Sequence, residues 1–586
     1  MPVPPSRPLR VRTTTPWGAR LWAQLAVVAL AASGCSAGSG SSTPAPWNDE
    51  LSEFVQADGR GLTVDGNRTR LEAVNFTNGY DTDIAADELL TSGHHSERDY
   101  ERVRDLGFNS IRFAFKGEWY LQDREAFWAW LDRNVAWAGE HDVRLILDLH
   151  IPIGGYWLGS DAGSADFRMW TDDELRQQNV DLWADIAARY RDEPAVAAYD
   201  LLNEPVTTDS SGEQWRSLAQ EIVDAIRSVD GNHLLVIGAV YGVDGGFDPD
   251  GVERHVLVDD DNAMYDFHFY DPYRYTHQFA PWVPTARDGG RYPDPDRLVS
   301  TTAPRLLNGT RIGTPFLPVG TSGWQEYDSG MVTVDAPDAT AASPQIVVGG
   351  GMEGTAHFDS IRVTEYGPGG NELREVLHDP LDEGSTGRWY PWTGRDGGDA
   401  DVEHTRETSG HLDDGSLSIS GTVTSGAGWS SSENIFAVVP GNRYRIRGYM
   451  RGDEVTGAAG EEPRIGLRLE LYGAQAGAAG DGFLPRDKEY LDHAMSQHLA
   501  FGAEHEVPMS VLEFGAVRHA FEMEGKGGDR WVADVLALLR EHDLSFGYWE
   551  YHDSVMGIYL DLDGAESRPN DALQEVLRRD LHEDGG

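Results

Sequence analysis

The sequence predicts a (β/α)8 barrel with a β-sandwich inserted after its sixth strand, and two observations carry that expectation. Eight short apolar runs alternate with stretches of helical periodicity, the pattern of a parallel sheet wrapped by helices. The alternation then stops for about 240 residues between the sixth run and the seventh, far more than one loop and one helix require. At 586 residues, 40% hydrophobic and 25% charged, the chain is long and apolar enough to fill more than one core.

The chain opens with an address. Its first 34 residues carry Arg7, Arg10, Arg12 and Arg20 with no acid, followed by an apolar run over 21–33. That run is too short for a membrane-spanning helix and suits a signal h-region. Ala32-Ser33-Gly34-Cys35 resembles a bacterial lipoprotein box, which implies that Cys35 is lipidated and holds the mature chain at the outer face of the cell membrane, with simple secretion as the alternative. Cys35 is the single cysteine, so no intrachain disulfide forms. Residues 35–50, rich in Ser, Gly and Pro, read as a flexible tether.

The barrel strands are expected at 71–76, 110–113, 144–149, 198–202, 234–237, 265–269, 510–513 and 545–548, within barrel segments 51–315 and 475–586. Phe127, Trp130, Leu131, Val135 and Ala138 share one helical face, as do Trp215, Leu218, Ile222, Ala225 and Ile226. The run 488–501 reads as the sixth helix, and Pro508 opens the seventh strand. Between the segments, 316–474 is rich in Gly, Thr and Val and carries alternating strands at 416–421 and 443–450, hence the sandwich.

Charge narrows the function. Asp+Glu number 97 against 48 Lys+Arg, a net charge of -49 that repels nucleic acid and anionic lipid surfaces. In a (β/α)8 barrel functional groups sit at the carboxyl ends of the strands. Those ends hold Arg112, His150, Asn203, Glu204, His268, Tyr270, Glu513 and Trp549. Each type alone has a structural explanation, but eight such residues at six strand ends, in chain order, point to a catalytic mouth. A metal-hydrolase reading with Asp148, His150, His268 and Glu513 as ligands is disfavoured, because Asn75-Phe76-Thr77 stands where the first strand would need paired histidines.

The order of these residues resembles glycoside hydrolase family five, the cellulase A family of retaining β-glycanases, over about 51–315 and 475–586. Asn203-Glu204-Pro205, His268-x-Tyr270, Glu513-Phe514-Gly515 and Trp549 carry the resemblance. It implies Glu204 as acid/base and Glu513 as nucleophile, an assignment consistent with glycoside hydrolysis needing two carboxyl groups about 5 to 5.5 Å apart when a covalent intermediate forms. Arg112 and Tyr270 would keep Glu513 ionised, Asn203 would hold a sugar hydroxyl, His150 and His268 would orient or tune, and Trp549 would lie under the sugar. The expected activity is endo-β-glucanase, with β-mannanase or exo-β-glucosidase next and a non-catalytic carbohydrate-binding lipoprotein as the reading from another class. No cofactor or metal is expected, the partner is a β-glycan, and the chain is expected to be a monomer.

Within the insert, 428–444 looks like part of a jelly-roll carbohydrate-binding module. Residues 356–364 resemble such a module's last strand and 381–392 its first, an order that implies circular permutation. Trp389, Trp392 and Trp429 are either a sugar-stacking surface or core.

Overall fold

A computed structural model of the chain describes residues 53–79, 90, 95–155, 166–247, 254–283, 289–302, 305–307, 311–349, 351–382, 388–394, 401–412, 414–457, 462–474, 482–560 and 568–582. The signal segment, the tether and Cys35 lie outside the described residues.

All eight predicted runs are strands: β1 Glu72–Phe76, β2 Ser110–Lys116, β3 Arg144–Ile151, β4 Val196–Asp200, β5 Leu234–Gly238, β6 Ala263–Phe269, β7 Met509–Phe514 and β8 Ser545–Tyr548. They close into a barrel in the order β6-β7-β8-β1-β2-β3-β4-β5. Strand alternation sorts the side chains. On β2, Ile111, Phe113 and Phe115 join the core beneath the helices, and Phe113 packs 4.9 Å from Trp130. Arg112, between them in sequence, therefore faces the barrel interior. On β3, Leu145, Leu147 and Leu149 go outward, which turns Asp148 and His150 inward.

Among the described residues seven helices of ten or more residues wrap the sheet: α1 Glu97–Leu106, α2 Arg124–Glu140, α3 Asp173–Tyr190, α4 Glu213–Arg227, α5 Lys488–His505, α6 Gly528–Glu541 and α7 Asp571–His582. Asp123, Asp172 and Asp487 cap α2, α3 and α5 by accepting from free main-chain N–H groups of the first turn. The predicted faces of α2 and α4 are buried except for Ala225, which is half-buried. Among the described residues no helix separates β5 from β6, a departure from strict alternation. The lower barrel is filled by Ala73, Ile146, Ala198, Val236, Met264 and Leu512, with Val55 and Leu62 of an amino-terminal hairpin packed beneath them. Chemistry is thereby confined to the upper mouth.

The insert forms two antiparallel seven-stranded sheets. In the first, Arg464–Gly473 and Ala339–Gly349 are central; in the second, Arg443–Gly457 and Met352–Tyr366. Their inward faces share one apolar core that includes Ile346, Leu467, Phe358, Ile361 and Ile446. Gly448 permits the close approach, since a Cβ there would lie 2.5 Å from Leu467 Cδ1 of the facing sheet. The first sheet starts earlier than the sequence suggested, because Arg305–Leu306 and Ile312–Gly313 both pair with Arg464–Gly473. Trp389 and Trp429 are fully buried in this core and are not available for stacking on sugar, so of the two alternatives both are core. Their indoles were drawn inward because each has an internal acceptor: Trp389 Nε1 donates to Asp379 and Trp429 Nε1 to the Ser418 carbonyl. Trp392 is half-buried, lying over Gly428.

A two-stranded neck, Asp294–Ser300 against Phe483–Arg486, joins sandwich to barrel. Glu433 of the sandwich pairs with both Arg274, just past β6, and Arg486 of the neck, each at 3.1 Å. The insert is thus braced against the loop that follows β6.

The outside of the barrel contains an acid-sensitive contact. His255 Nε2 and His498 Nδ1 of α5 share a hydrogen bond of 3.0 Å, and His498 lies flat on Phe267 of β6 at 4.0 Å. Burial pushes His255 down to about 4 and His498 down to about 3. The unfolded chain takes up these protons near pH 6.5, so the neutral pair contributes its full stability above that pH and loses it as pH falls towards 4. We expect His498→Phe to lose less stability than the parent between pH 6.5 and 4, by up to roughly 3 kcal/mol in urea unfolding at 1.4 kcal/mol per pKa unit; parallel pH profiles would refute this.

Candidate active site

The site is built on a break in strand parity. Asp266 and His268 of β6 sit opposite Ser510 and Glu513 of β7, with a shift in register between them. Two residues of β7, Val511 and Leu512, therefore oppose Phe267 alone, a bulge that turns Glu513 inward instead of towards the helices. Asp266 fixes the bulge: its Oδ1 accepts from Ser510 Oγ at 2.7 Å and from the Leu512 main-chain N–H at 2.8 Å. Sequence reasoning missed Asp266, because a bulge leaves no periodic signal. The glycine after Glu513-Phe514 has a steric reason, since a Cβ on Gly515 would meet the Trp549 carbonyl oxygen at 2.2 Å.

Glu513 is held on both oxygens. Arg112 Nη1 donates to Oε1 at 2.7 Å and Tyr270 Oη to Oε2 at 2.9 Å. The Arg112 guanidinium also donates to Asp200 Oδ2 (2.8 Å), Asn203 Oδ1 (2.9 Å) and Asn75 Oδ1 (3.1 Å), and lies 3.2 Å from Asp148 Oδ1. Asp200, another residue the sequence reading did not single out, follows from alternation on β4, where Tyr199 points outward. Burial raises Asp148 to about 7 and Asp200 to about 8, against the pull of Arg112. Burial likewise opposes the charge on Arg112, yet Asp148, Asp200 and Glu513 raise its pKa well above the usual value.

Glu204 follows β4 with φ +41°, a left-handed backbone that costs a non-glycine residue about 1 kcal/mol or more. That turn aims its carboxyl across the mouth at Glu513. His268 lies between the two, its Nδ1 3.0 Å from Glu204 Oε1 and 3.3 Å from Glu513 Oε2. Burial raises the pKa of Glu204, and the Glu513 charge adds to it while His268 and Arg112 oppose. For His268, burial works against protonation, but Glu513, Asp266 and Glu204 lift its pKa well above the ordinary value.

The remaining predicted residues converge on the same place. His150 Nδ1 pairs with Asp148 Oδ2 at 2.7 Å, and its Nε2 is 3.3 Å from Asn203 Nδ2, which fixes Nδ1 as the donor nitrogen. Trp549 stacks on His150 at 5.5 Å and 23°. All of these except the deeper Arg112 line a cavity of about 700 Å³, within the range of ligand sites. Tyr241, Phe247, Tyr273 and Trp282 add to its aromatic lining, and no sequence pattern marked them. A cleft of similar size, about 720 Å³, lies on the sandwich, but its lining holds a single carboxylate, Glu470, among three arginines. The chemistry therefore belongs to the barrel mouth.

One oxygen each of Glu204 and Glu513 and one nitrogen of His268 lie within 4.8 Å of one another, a spacing a metal ion could use. The ligand set envisaged for a metal does not assemble, since Asp148 and His150 are taken up by each other and by Arg112. A cation would also face the Arg112 guanidinium across Glu513.

Residues 71–305 match the family model described as Cellulase (glycosyl hydrolase family 5). The match spans β1 to β6 and ends where the sandwich begins, leaving Glu513 and Trp549 beyond it. Over 200 residues the chain is 32% identical to Endoglucanase C of Acetivibrio thermocellus, covering 33% of this chain and 54% of that protein. Over 219 residues it is 33% identical to Mannan endo-1,4-beta-mannosidase 2 of Oryza sativa subsp. japonica, covering 32% and 47%. The chain spans about half the length of the curated relatives it matches. Endoglucanase Cel5A from the hyperthermophilic Thermotoga maritima aligns at 15% identity and a TM-score of 0.44, over 86% of this chain and 97% of that structure.

The charge arrangement makes opposite expectations for two substitutions. Arg112→Met leaves buried carboxylates uncompensated and should cost about 3–5 kcal/mol. Glu513→Gln removes one negative charge from the same crowd and should cost far less. Urea unfolding at pH 7 compares them, and equal losses would contradict the network.

Proposed function

We propose that the barrel is a retaining glycoside hydrolase acting on β-linked glucan, with endo-β-glucanase as the first reading. The observation that carries it is the pair Glu204 and Glu513, with oxygens within 4.8 Å of each other across the mouth. So close an approach supports a double displacement, whose carboxyl groups stand about 5–5.5 Å apart, over inversion, whose carboxyls stand about 6.5–9.5 Å apart.

The environments divide the labour. Glu513, hydrogen-bonded by Arg112 and Tyr270, is kept as the anion that attacks the anomeric carbon. Glu204, whose pKa is raised by burial, keeps a proton to give to the departing glycosidic oxygen. As the C–O bond breaks, the sugar is left esterified to Glu513. Glu204, now ionised, takes a proton from water, whose oxygen attacks the anomeric carbon and releases Glu513. The positive field of His268 limits how far the Glu204 pKa rises and helps the two carboxyls carry charge in turn. Trp549, fixed on His150, offers its face to the sugar. The similarity to an endo-β-mannosidase, 33% identical over 219 residues, keeps mannan as the second substrate class.

Glu204→Ala and Glu513→Ala should each reduce turnover by several orders of magnitude with the fold intact. Azide separates their roles on a substrate with an activated leaving group. Glu204→Ala should yield the β-glycosyl azide, because azide then opens the enzyme-bound intermediate, whereas Glu513→Ala should yield the α-azide by direct attack. Near-parental hydrolysis of an unactivated substrate by both variants would sink the assignment.

A further inference from the structure

Away from the barrel mouth, the outer face of the second sandwich sheet carries a cluster that the proposed chemistry does not use. Trp324, half-buried on the edge strand Gly320–Asp328, lies beneath the Arg451 guanidinium at 5.6 Å. Arg451 is opposite His357 across the neighbouring strands and Tyr449 is opposite Asp359, so all four belong to adjacent positions of one sheet. His357, itself buried, is held at both nitrogens: Nδ1 to Glu407 Oε2 at 2.9 Å and Nε2 to Asp453 Oδ2 at 3.1 Å. Arg451 Nη2 completes the set, 3.0 Å from His357 Nε2 and 3.2 Å from Asp453 Oδ2.

The ring of His411 is exposed and bridges the two larger aromatics. It lies 6.0 Å from Trp324 at 36° and 4.3 Å from Tyr449 at 41°. Its turn is pinned from below, since Asp359 Oδ2 accepts from the main-chain N–H groups of His411 and Leu412 at 2.5 and 3.3 Å. Three rings are thus preorganised in a row, beside a guanidinium and two partly exposed carboxylates. Arg451 pairs with Asp453, and Glu407 accepts from Ser416 and faces His357, while Arg451 Nε has no hydrogen-bond partner among the described residues and is open to a hydroxyl acceptor.

We propose that this row, Trp324, His411 and Tyr449, is a second carbohydrate site that binds an uncharged pyranose chain outside the catalytic cavity. A pyranose ring presents a flat face of C–H bonds to an aromatic ring and hydroxyls around its rim, and the cluster supplies both complements: aromatic faces for the first, Arg451, Asp453 and Glu407 for the second. A polyanion would meet the field of the whole chain. An apolar peptide would offer no hydroxyls to Arg451 Nε and the partly exposed carboxylates of Asp453 and Glu407.

The test is affinity electrophoresis of the full chain, in native gels cast with or without hydroxyethylcellulose or glucomannan. Glu513→Gln is present throughout so that the polymer is not consumed. The expected result is retardation of the parent by at least one of the two polymers. Trp324→Ala, Tyr449→Ala and His411→Ala should each weaken it by roughly 2- to 10-fold, the range of one aromatic contact. With the wild-type Glu513, the same three variants should hydrolyse a small aryl β-glucoside at the parental rate. The His411 side chain is exposed, so its removal keeps the test valid if a sheet variant misfolds. A parent that migrates identically with and without both polymers, or a His411→Ala protein retarded as strongly as the parent, overturns the proposal. Failure of the barrel assignment would show instead as absent hydrolysis with retardation unchanged.

Discussion

One buried guanidinium organises the barrel mouth. Arg112 donates to acceptors from β1, β4 and β7 and to Asn203 beyond β4, and lies against Asp148 of β3. No other described group touches so many strands at the level where Glu513 must be held. Its charge also makes a dense set of carboxylates tolerable at 0–4% exposure. Without it, the buried carboxylates of Asp148, Asp200 and Glu513 would face one another with no guanidinium among them. The geometry of Asn203 follows from it too: with Oδ1 on Arg112, the amide must turn its Nδ2 to His150, which sets the His150 tautomer and the ring on which Trp549 stacks.

The second constraint is the β7 bulge. A regular β7 would send Glu513 into the helical layer, and no rotamer could bring it back. Asp266 compensates the main-chain N–H freed at Leu512 and faces His268 Nε2 with its other oxygen at 3.4 Å. Backbone irregularity and electrostatics are therefore joined in one residue. The strained turn at Glu204 on the opposite wall completes the pair, and the neck and Glu433 salt bridges brace the loop after β6 that carries Tyr270.

The fold was legible in the sequence because strands buried on both faces read as apolar runs and their polar ends interrupt those runs. The eight residues named from strand ends all gather around one mouth, and seven line its cavity. Asp200 and Asp266 were less visible: both lie within apolar runs, where a lone acid reads as noise until burial and partners are known. Tyr241 and Trp282 reach the rim from loops and Phe247 from the two-residue strand Gly246–Phe247, segments whose course no local pattern specifies. The insert left its tryptophans undecided for a related reason. Trp389 and Trp429 looked like candidate binding residues by type, yet two facing sheets need large side chains between them, and internal acceptors satisfied their indole N–H groups. Trp324 lies on an edge strand next to a glycine and attracted no attention as sequence; only pairing across the sheet brings it to Arg451 and His411.

In the proposed mechanism Glu513, held by Arg112 and Tyr270, forms a covalent bond to the sugar. A 2-deoxy-2-fluoro β-glucoside or cellobioside with a dinitrophenyl leaving group tests it most directly, because fluorine slows both displacements while the leaving group preserves the first, so the intermediate accumulates. Mass spectrometry of the inactivated protein should show one added glycosyl group, located by peptide fragmentation on Glu513. Attachment at Glu204 or another residue, or turnover with inversion and no adduct, would rule out Glu513 as the nucleophile.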